Sequence, residues 1–517
     1  MDQLTTELVV PAVIRGQIIT DNLVGFGGRG GGPRFSTPDP TALAPLLPLR
    51  DPSRMLELQQ LPFEEIVGYL DELGRALRPD RNEHLREALE RSAGFSDLTV
   101  PLVRSSFGQL AGLFAPDRVR EIADHTIGIP YLEGWVQRRM SDGRTAAVRA
   151  FGARTVHVIA GNSPVIAALS VIRNAVARSD AVIKTPSNDP LTALAIARTM
   201  VEMAPDHPIT RHLSVAYWKG GDTAFEESLY SPRNVEKIIA WGGFASVTHV
   251  LRYVQPGLEL ISLDPKRSAT IIGPEAFDSE DGHADVALRA ATDIGALNQL
   301  GCVNARVIYV VSGTDPSGIE RANRLGEAIY RELQRLPEEV STRAKRFDPE
   351  LRASLAGLRA NPEWYRIYGG RDDEGAVIVS QLDEPVDFHT SLSGRVANLV
   401  PIDDAAQAVR AMNSYTQTVG IYPDSLRHML RDILPVHGAQ RLVSLGYAAH
   451  PSMALPQDAI EPVRRMVKWI VDEHCPPSEV PPLWAGDRPE VAHQAPHDQV
   501  KADTTGWLDP QTMEHRP

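Results

Sequence analysis

Apolar positions recur with two different periods along the chain, and the change of period divides it. In "LPFEEIVGYLDELGRAL" the residues Phe63, Ile66, Val67, Leu70 and Leu73 share one face of a 3.6-residue repeat, and residues 56 to about 145 read as helical. From 150 to 273 the pattern shifts to short β-branched runs: "RTVHVIAGN", "DAVIKTP", "LSVAYWKGG", "VEKIIAWGG" and "SATIIG", each ending in small or polar residues. Between them, "SPVIAALSVIRNAVARS" spaces Val165, Ala168, Leu169, Ile172 and Val176 as a helix would, and "DPLTALAIARTMV" offers Asp189 as N-cap with Pro190 at the first helical position. Strand alternating with helix predicts an α/β fold, a parallel sheet covered on both faces that binds ligands outside the carboxyl ends of its strands. A long helix from about Glu280 to Leu300 is expected next, then a strand at "NARVIYVV" and mixed α/β structure to about Ile470.

The two ends lack such periods. Residues 1–55 are short apolar runs broken by "GFGGRGGGP" and "TPDPTALAPLLPLRDPS". A phosphate cradle belongs between a strand and a helix N-terminus, but Pro33 follows the glycines and no helical period begins, so a flexible or docking arm is expected. From Pro476 the chain is proline-rich and charged, which predicts a tail that is disordered or laid over a neighbour.

Composition narrows the function. At 517 residues the chain exceeds one core, and 43% apolar with 23% charged residues is ordinary soluble composition. A formal net charge of −13 without a compensating basic tract argues against nucleic-acid binding. Two cysteines cannot form a disulfide framework, so a reducing, cytoplasmic setting is expected. No apolar run of membrane-spanning length, no signal-peptide pattern and no metal site is read.

Candidate chemistry gathers at the strand ends. Asn162, in "VIAGNSP", is either a helix N-cap or a side-chain amide donor to a substrate oxyanion. Lys184 is a solvated strand-end lysine or a cation for a cofactor's ribose or phosphate. Gly221 in "WKGG" and Gly242 and Gly243 in "AWGG" fall where a pyrophosphate could approach backbone amides, although the full Gly-x-Gly-x-x-Gly spacing is missing. Cys302, in "GALNQLGCVNARVIYVV", is a packing cysteine or a nucleophile for a thioester carbonyl, whereas Cys475 has no partner motif.

In this order the motifs resemble the aldehyde dehydrogenase superfamily, and more closely its acyl-CoA reductase branch, the fatty-acid reductase component of bacterial luminescence systems. The resemblance runs from about Leu58 to Ile470. It implies a Rossmann-type cofactor domain, a catalytic α/β domain and a helical N-terminal region. The expected organisation is an N-terminal arm (1–55), a helical region with an NADP-binding domain (56–273), a catalytic domain carrying Cys302 (274–430), a C-terminal segment returning to the core (431–476) and the tail (477–517).

The resemblance implies that Cys302 is the nucleophile, Asn162 the oxyanion donor, Lys184 the ribose-binding lysine and Gly242 the glycine over the pyrophosphate. Ser187 stands where the superfamily commonly has a glutamate that repels a 2′-phosphate, so NADPH is the expected cofactor. Where oxidising members carry a general-base glutamate, "SLDPK" has Ser262, with Lys266 on the motif's lysine and Asp264 as a possible shifted base. Ser391 replaces a glutamate that touches the nicotinamide ribose. The implied activity is NADPH-dependent reduction of a fatty acyl-CoA or other acyl thioester to the aldehyde. The rivals are an oxidising aldehyde dehydrogenase and a non-catalytic scaffold of the same fold. An acyl-activating partner enzyme and a homo-oligomer are also implied.

Overall fold

The computed structural model of the chain describes residues 8–27, 31–142 and 144–476. Its larger unit, which runs up to Val136 and from Val148 to Val471, contains two seven-stranded sheets. The first is built from β1 (Ala12–Ile14), β2 (Gln17–Ile19), β3 (Arg154–Val158), β4 (Asp180–Lys184), β5 (Leu213–Ala216), β6 (Lys237–Trp241) and β7 (Glu259–Leu263), in the order β7-β6-β3-β4-β5-β1-β2. Strands β3 to β7 are parallel, while β1 runs antiparallel to β5 and pairs with β2 as a hairpin.

From β3 the chain steps outward through β4 and β5, then returns to lay β6 and β7 on the other side. The order therefore reverses between β3 and β6, and a crevice opens there beyond the strand ends. Register puts Ala240, Val158, Lys184 and Ala216 side by side, so the loops after β3, β4, β5 and β6 leave from one edge.

Helix α1 (Phe63–Ala76) buries the stripe read from sequence, with Phe63, Ile66, Val67, Leu70 and Leu73 all in the core. Helix α2 (Val165–Val176) follows the β3 loop and is buried on nearly every side. Helix α3 (Thr192–Met203) begins two residues later than its sequence suggests. Leu191, not Asp189, is its N-cap; Asp189 accepts from the Thr192 N–H at 3.1 Å from the turn before it, and Pro190 lies outside the first turn.

Helix α4 (Phe244–Leu251) follows β6, and a short link from Leu263 to Arg267 enters the second sheet. That sheet comprises β8 (Arg267–Ile272), β9 (Ala305–Val311), β10 (Tyr365–Gly369), β11 (Ala376–Ser380), β12 (Val396–Ile402), β13 (Thr416–Tyr422) and β14 (Arg441–Ser444). The order is β10-β11-β12-β9-β8-β13-β14, and only the edge strand β10 is antiparallel. Helices α5 (Glu280–Gly295) and α6 (Pro316–Arg335) pack together against it through Ala290, Ile294, Leu325 and Ile329.

Three features depart from the sequence reading. The "SATIIG" strand belongs to the second sheet, and β7 closes the first; both are apolar runs, and periodicity does not say which sheet a strand joins. The N-terminal segment, expected as an irregular arm, is threaded into the fold. Hairpin β1–β2 extends the first sheet, and Leu8–Val9, Phe35–Pro38 and Leu23–Phe26 form a small sheet of their own. Ala12 and Val13 are buried, and an Arg15–Asp180 ion pair of 2.7 Å ties the hairpin turn to β4. Strands this short show no alternation in sequence. The helix expected to reach Leu300 stops at Gly295, as described below. The Gly25–Gly32 cluster lies partly, and the tail 477–517 wholly, outside the described residues.

The smaller unit comprises residues 137–147 and the chain from Asp472, and its described strand segments pair in one three-stranded sheet. Among the described residues no helix is long and apolar enough to cross a membrane.

Candidate active site

Between α5 and β9 the backbone turns left-handed at three consecutive residues, Leu297, Asn298 and Gln299, with φ of 51°, 54° and 62°. For residues other than glycine each such turn costs about 1–2 kcal/mol. Side-chain and backbone bonds offset that cost. The Leu297 N–H donates to the Val340 carbonyl at 2.9 Å, and Asn298 exchanges two bonds with Thr342. Gln299 donates to the Ala305 and Val396 carbonyls and accepts from the Val396 N–H, at 2.8, 2.9 and 3.0 Å. Asn304 closes the loop, accepting from the Gly301 N–H and donating to the Asp293 and Ala296 carbonyls.

This loop delivers Cys302 half-buried just ahead of β9, and the Ser268 hydroxyl holds its carbonyl at 2.7 Å. Burial pushes the thiol pKa up, and the Asp458 carboxylate pushes it further the same way. The Gln417 side chain and the Arg306 guanidinium favour the thiolate.

Asn162 is not a helix cap, because α2 starts from Pro164 with no side-chain cap bond. Its amide instead reaches across to the Cys302 loop and donates to the Leu300 carbonyl at 3.1 Å. One N–H is thereby anchored two residues before the thiol, while the buried Oδ1 has no partner. The β3 and β4 loops are also locked together. Asn188 donates to the Gly161 carbonyl at 3.2 Å, and a Cβ on Gly161 would lie 2.2 Å from Asn188 Oδ1, so the approach requires glycine.

Around the corner of the same edge lie the other predicted residues. Lys184 ends β4 with Nζ 5.5 Å from the Trp218 ring centre and 5.9 Å from that of Tyr217, and burial lowers its pKa to about 8. Ser187 sits half-buried in the turn that follows. Gly243 is the N-cap of α4 and brings no capping side chain, so the Phe244 and Ala245 amides are left for another acceptor, while the Ser246 N–H is taken by the Gly243 carbonyl. A Cβ there would meet nothing within 4 Å, whereas at Gly242 it would press on Ser246 at 3.1 Å. An uncapped helix end, an ammonium over two aromatic rings and a strand-order reversal fit a nicotinamide dinucleotide.

Gly221 takes φ of +99° and donates to Glu226 at 3.1 Å. Sequence reasoning missed Glu226. Its buried carboxylate also accepts from Trp218 at 3.1 Å and Tyr253 at 3.0 Å, lies 2.6 Å from His249 Nε2, and favours the charged form of Lys184. A carboxylate is thus present in this corner, supplied from a short helix rather than from position 187.

Asp264 accepts from the Ser262 hydroxyl and faces Lys266 at 3.8 Å, and Lys266 donates to the Ser414 carbonyl at 3.0 Å. Ser391 is exposed on a short helical turn, and Cys475 is exposed. Gln417 and Asp458, which act on the thiol, were not read from sequence because neither stands in a motif.

The fold has known counterparts. Lactaldehyde dehydrogenase from Escherichia coli superposes with a TM-score of 0.68 over 91% of this chain and 100% of its own, at 14% identity. The NADP-dependent glyceraldehyde-3-phosphate dehydrogenase from Bacillus halodurans C-125, solved complexed with NADP, gives 0.67 over 90% and 99%, also at 14% identity. These define an aldehyde dehydrogenase-like fold. Residues 58–469 match the acyl-CoA reductase (LuxC) family, and the chain belongs to it. The long-chain acyl-protein thioester reductase of Vibrio harveyi is 26% identical over 422 residues, spanning 80% of this chain and 84% of its own. That of Photorhabdus laumondii is 25% identical over 432 residues, 81% and 83%. The chain is accordingly an oxidoreductase of the acyl-CoA reductase family, built on an aldehyde dehydrogenase-like fold.

Proposed function

We propose that the chain reduces a long-chain acyl thioester to the fatty aldehyde with NADPH, through an acyl-enzyme on Cys302. The observation that carries this reading is the Asn162–Leu300 bond, which joins the cofactor-sheet crevice to the thiol loop. The Cys302 sulfur attacks the thioester carbonyl, an S–C bond forms, and the donor's thiol leaves with the proton. The free N–H of Asn162 and the Cys302 backbone N–H receive the oxyanion. Lys184 and the α4 N-terminus would hold a reduced nicotinamide nucleotide, which when bound would supply the hydride that reduces the S-acyl group. Collapse of the resulting thiohemiacetal returns the electron pair to sulfur and releases aldehyde. With Ser262 in place of a carboxylate and Asp264 tied to Ser262 and Lys266, water is not activated against the acyl-enzyme. Ser187, uncharged, removes like-charge repulsion at that position, and the Glu226 carboxylate of the same corner is engaged by Trp218, Gly221, His249 and Tyr253, which supports NADPH over NADH.

The test follows reduced-nicotinamide absorbance with acyl-CoA and with an acyl-protein thioester, the donor that the relatives' names specify. Intact-mass detection of the acyl-enzyme without reductant accompanies it. Cys302→Ala is expected to abolish both signals. Reduction that survives this substitution favours another nucleophile, and steady carboxylate formation from aldehyde favours the oxidising alternative. A folded chain with neither activity favours a scaffold. NADH binding as tight as that of NADPH would refute the cofactor assignment.

A further inference from the structure

Ser268 stands where the second sheet breaks step on both sides. Toward β9, Ser268 lies opposite Ala305 but Ala269 opposite Val307. Toward β13, Arg267 lies opposite Thr416 but Ala269 opposite Val419. Each neighbouring strand therefore carries one extra residue at this level, an irregularity of the kind that re-aims groups beside active sites. The Ser268 hydroxyl fills the gap. It accepts from the Thr418 N–H at 3.1 Å and donates to the Cys302 carbonyl at 2.7 Å. A backbone N–H only donates and a carbonyl only accepts, so the direction of this relay is fixed. Ser268 is buried, and the relay runs through the interior of the sheet.

The two peptide planes that flank Cys302 are held by different residues. The plane after it contains the carbonyl that Ser268 grips. The plane before it contains the Gly301 carbonyl and the Cys302 N–H, which point in opposite directions across a trans bond. The Gly301 carbonyl accepts from the Asn304 N–H at 3.4 Å, and the Gly301 N–H donates to Asn304 Oδ1 at 2.9 Å. The Cys302 N–H is thereby turned away from the Asn304 turn. Two planes held in space leave Cys302 one backbone conformation, which sets where its N–H lies relative to its Cβ–Sγ bond. Of the two bonds to the flanking carbonyls, the one from Ser268 is much the shorter.

We propose that Ser268 is a positioning residue for acyl transfer: through the Cys302 carbonyl it holds the backbone of the nucleophile so that the Cys302 N–H meets the oxyanion as Sγ attacks a thioester. The proposal rests on the reading of Cys302 as that nucleophile. As the S–C bond forms, the carbonyl π pair moves onto oxygen and the Cys302 N–H donates to it. When the pair returns, the donor's thiol leaves with the proton from Cys302. Alkylation of the same sulfur by iodoacetamide displaces iodide and builds no oxyanion. Ser268 therefore acts on one reaction of Cys302 and not on the other, and that difference separates positioning from general support of the loop.

The test compares the two reactions in the full chain, each located on Cys302 by peptide mass: acylation by hexadecanoyl-CoA or an acyl-protein thioester without nicotinamide, and alkylation by iodoacetamide. Ser268→Ala removes the relay and frees the Cys302 carbonyl to turn. It is expected to slow acylation roughly tenfold, short of the hundredfold or more that outright loss of an oxyanion donor costs, with alkylation within about twofold of the parent. Acylation at the parental rate overturns the proposal, and so does equal slowing of both reactions, which is the mark of a loosened loop. If S268A does not accumulate folded, Ser268→Cys carries the test, because a thiol keeps the volume and donates only weakly. A parental ratio of acylation to alkylation in S268C overturns the proposal too. The reading of Cys302 fails on a different result: a parent chain that is alkylated at Cys302 but acylated there by neither donor sinks that reading, and this proposal with it.

Discussion

Replacing Asn162 with alanine separates a structural anchor from a catalytic donor. The fold loses one neutral hydrogen bond, to the Leu300 carbonyl, worth about 0.5–1.5 kcal/mol net. It also loses the buried Oδ1, whose lack of a partner costs about 1–3 kcal/mol in the parent, so the two changes nearly cancel. The expected change in unfolding free energy is therefore within about 1 kcal/mol, read by urea titration. The transition state loses an oxyanion donor worth about 3 kcal/mol, which lowers kcat by roughly a hundredfold. The assay is steady-state reduction of an acyl thioester, with intact-mass measurement of acyl-enzyme formation on the same preparation. A variant with kcat within fivefold of the parent refutes the donor role. A loss of activity matched by a stability loss of several kcal/mol would mean that Asn162 only braces the loop.

Other outcomes follow from the cofactor corner and the buried core. Ser187→Glu places a carboxylate where a 2′-phosphate is proposed to lie and should raise the KM for NADPH roughly tenfold while sparing NADH; equal effects on both would refute the placement. Lys184 is held at a pKa of about 8, so its ammonium is lost as pH rises through that value. The free-enzyme kcat/KM for the cofactor should then fall above about pH 8, and a K184M variant should be low and flat over that range. His157 is buried with neither ring nitrogen partnered, and burial depresses its pKa from 6.5 to about 3. A depressed pKa means stability that is complete above the unfolded value and drains away as pH falls toward the folded one. Urea unfolding should show H157N losing about 3 kcal/mol less than the parent between pH 6.5 and about pH 4, and parallel curves would exclude His157 as the cause.

How far the sequence reached can be seen residue by residue. The stripe on α1 and the β-branched runs that became β3, β4, β5 and β6 were legible because burial imposes a period on apolar positions. That Asn162, Lys184 and Gly243 lie along one edge was legible because each closely follows or ends a strand, and parallel register carries those strand ends together. Short-range patterns also misled. Asn162 has the identity and place of a helix cap, yet the structure spends its amide 138 residues away. Glu226 was invisible as a member of the site because nothing local marks a helix glutamate that bonds Trp218, Gly221, His249 and Tyr253 around a lysine from another strand.

The thiol loop shows why the remainder was hidden. "GALNQLGC" continues the helical pattern of α5, and nothing in Leu297, Asn298 or Gln299 announces left-handed backbone; propensity favours extending the helix. The bonds that reverse this preference come from Val340, Thr342 and Val396, all distant in sequence, and they act only once the second sheet has formed. The left-handed turn at Asp458 and Ala459 repeats the logic, with Arg173 and Gln417 supplying what glycine would otherwise supply. In both places conformations that the local sequence disfavours are maintained by tertiary contacts, and the first of them leads directly into Cys302. The left-handed run before Cys302 therefore lies where the proposed chemistry needs fixed geometry, and relaxing the bonds that hold it should disturb the sulfur before it disturbs the fold.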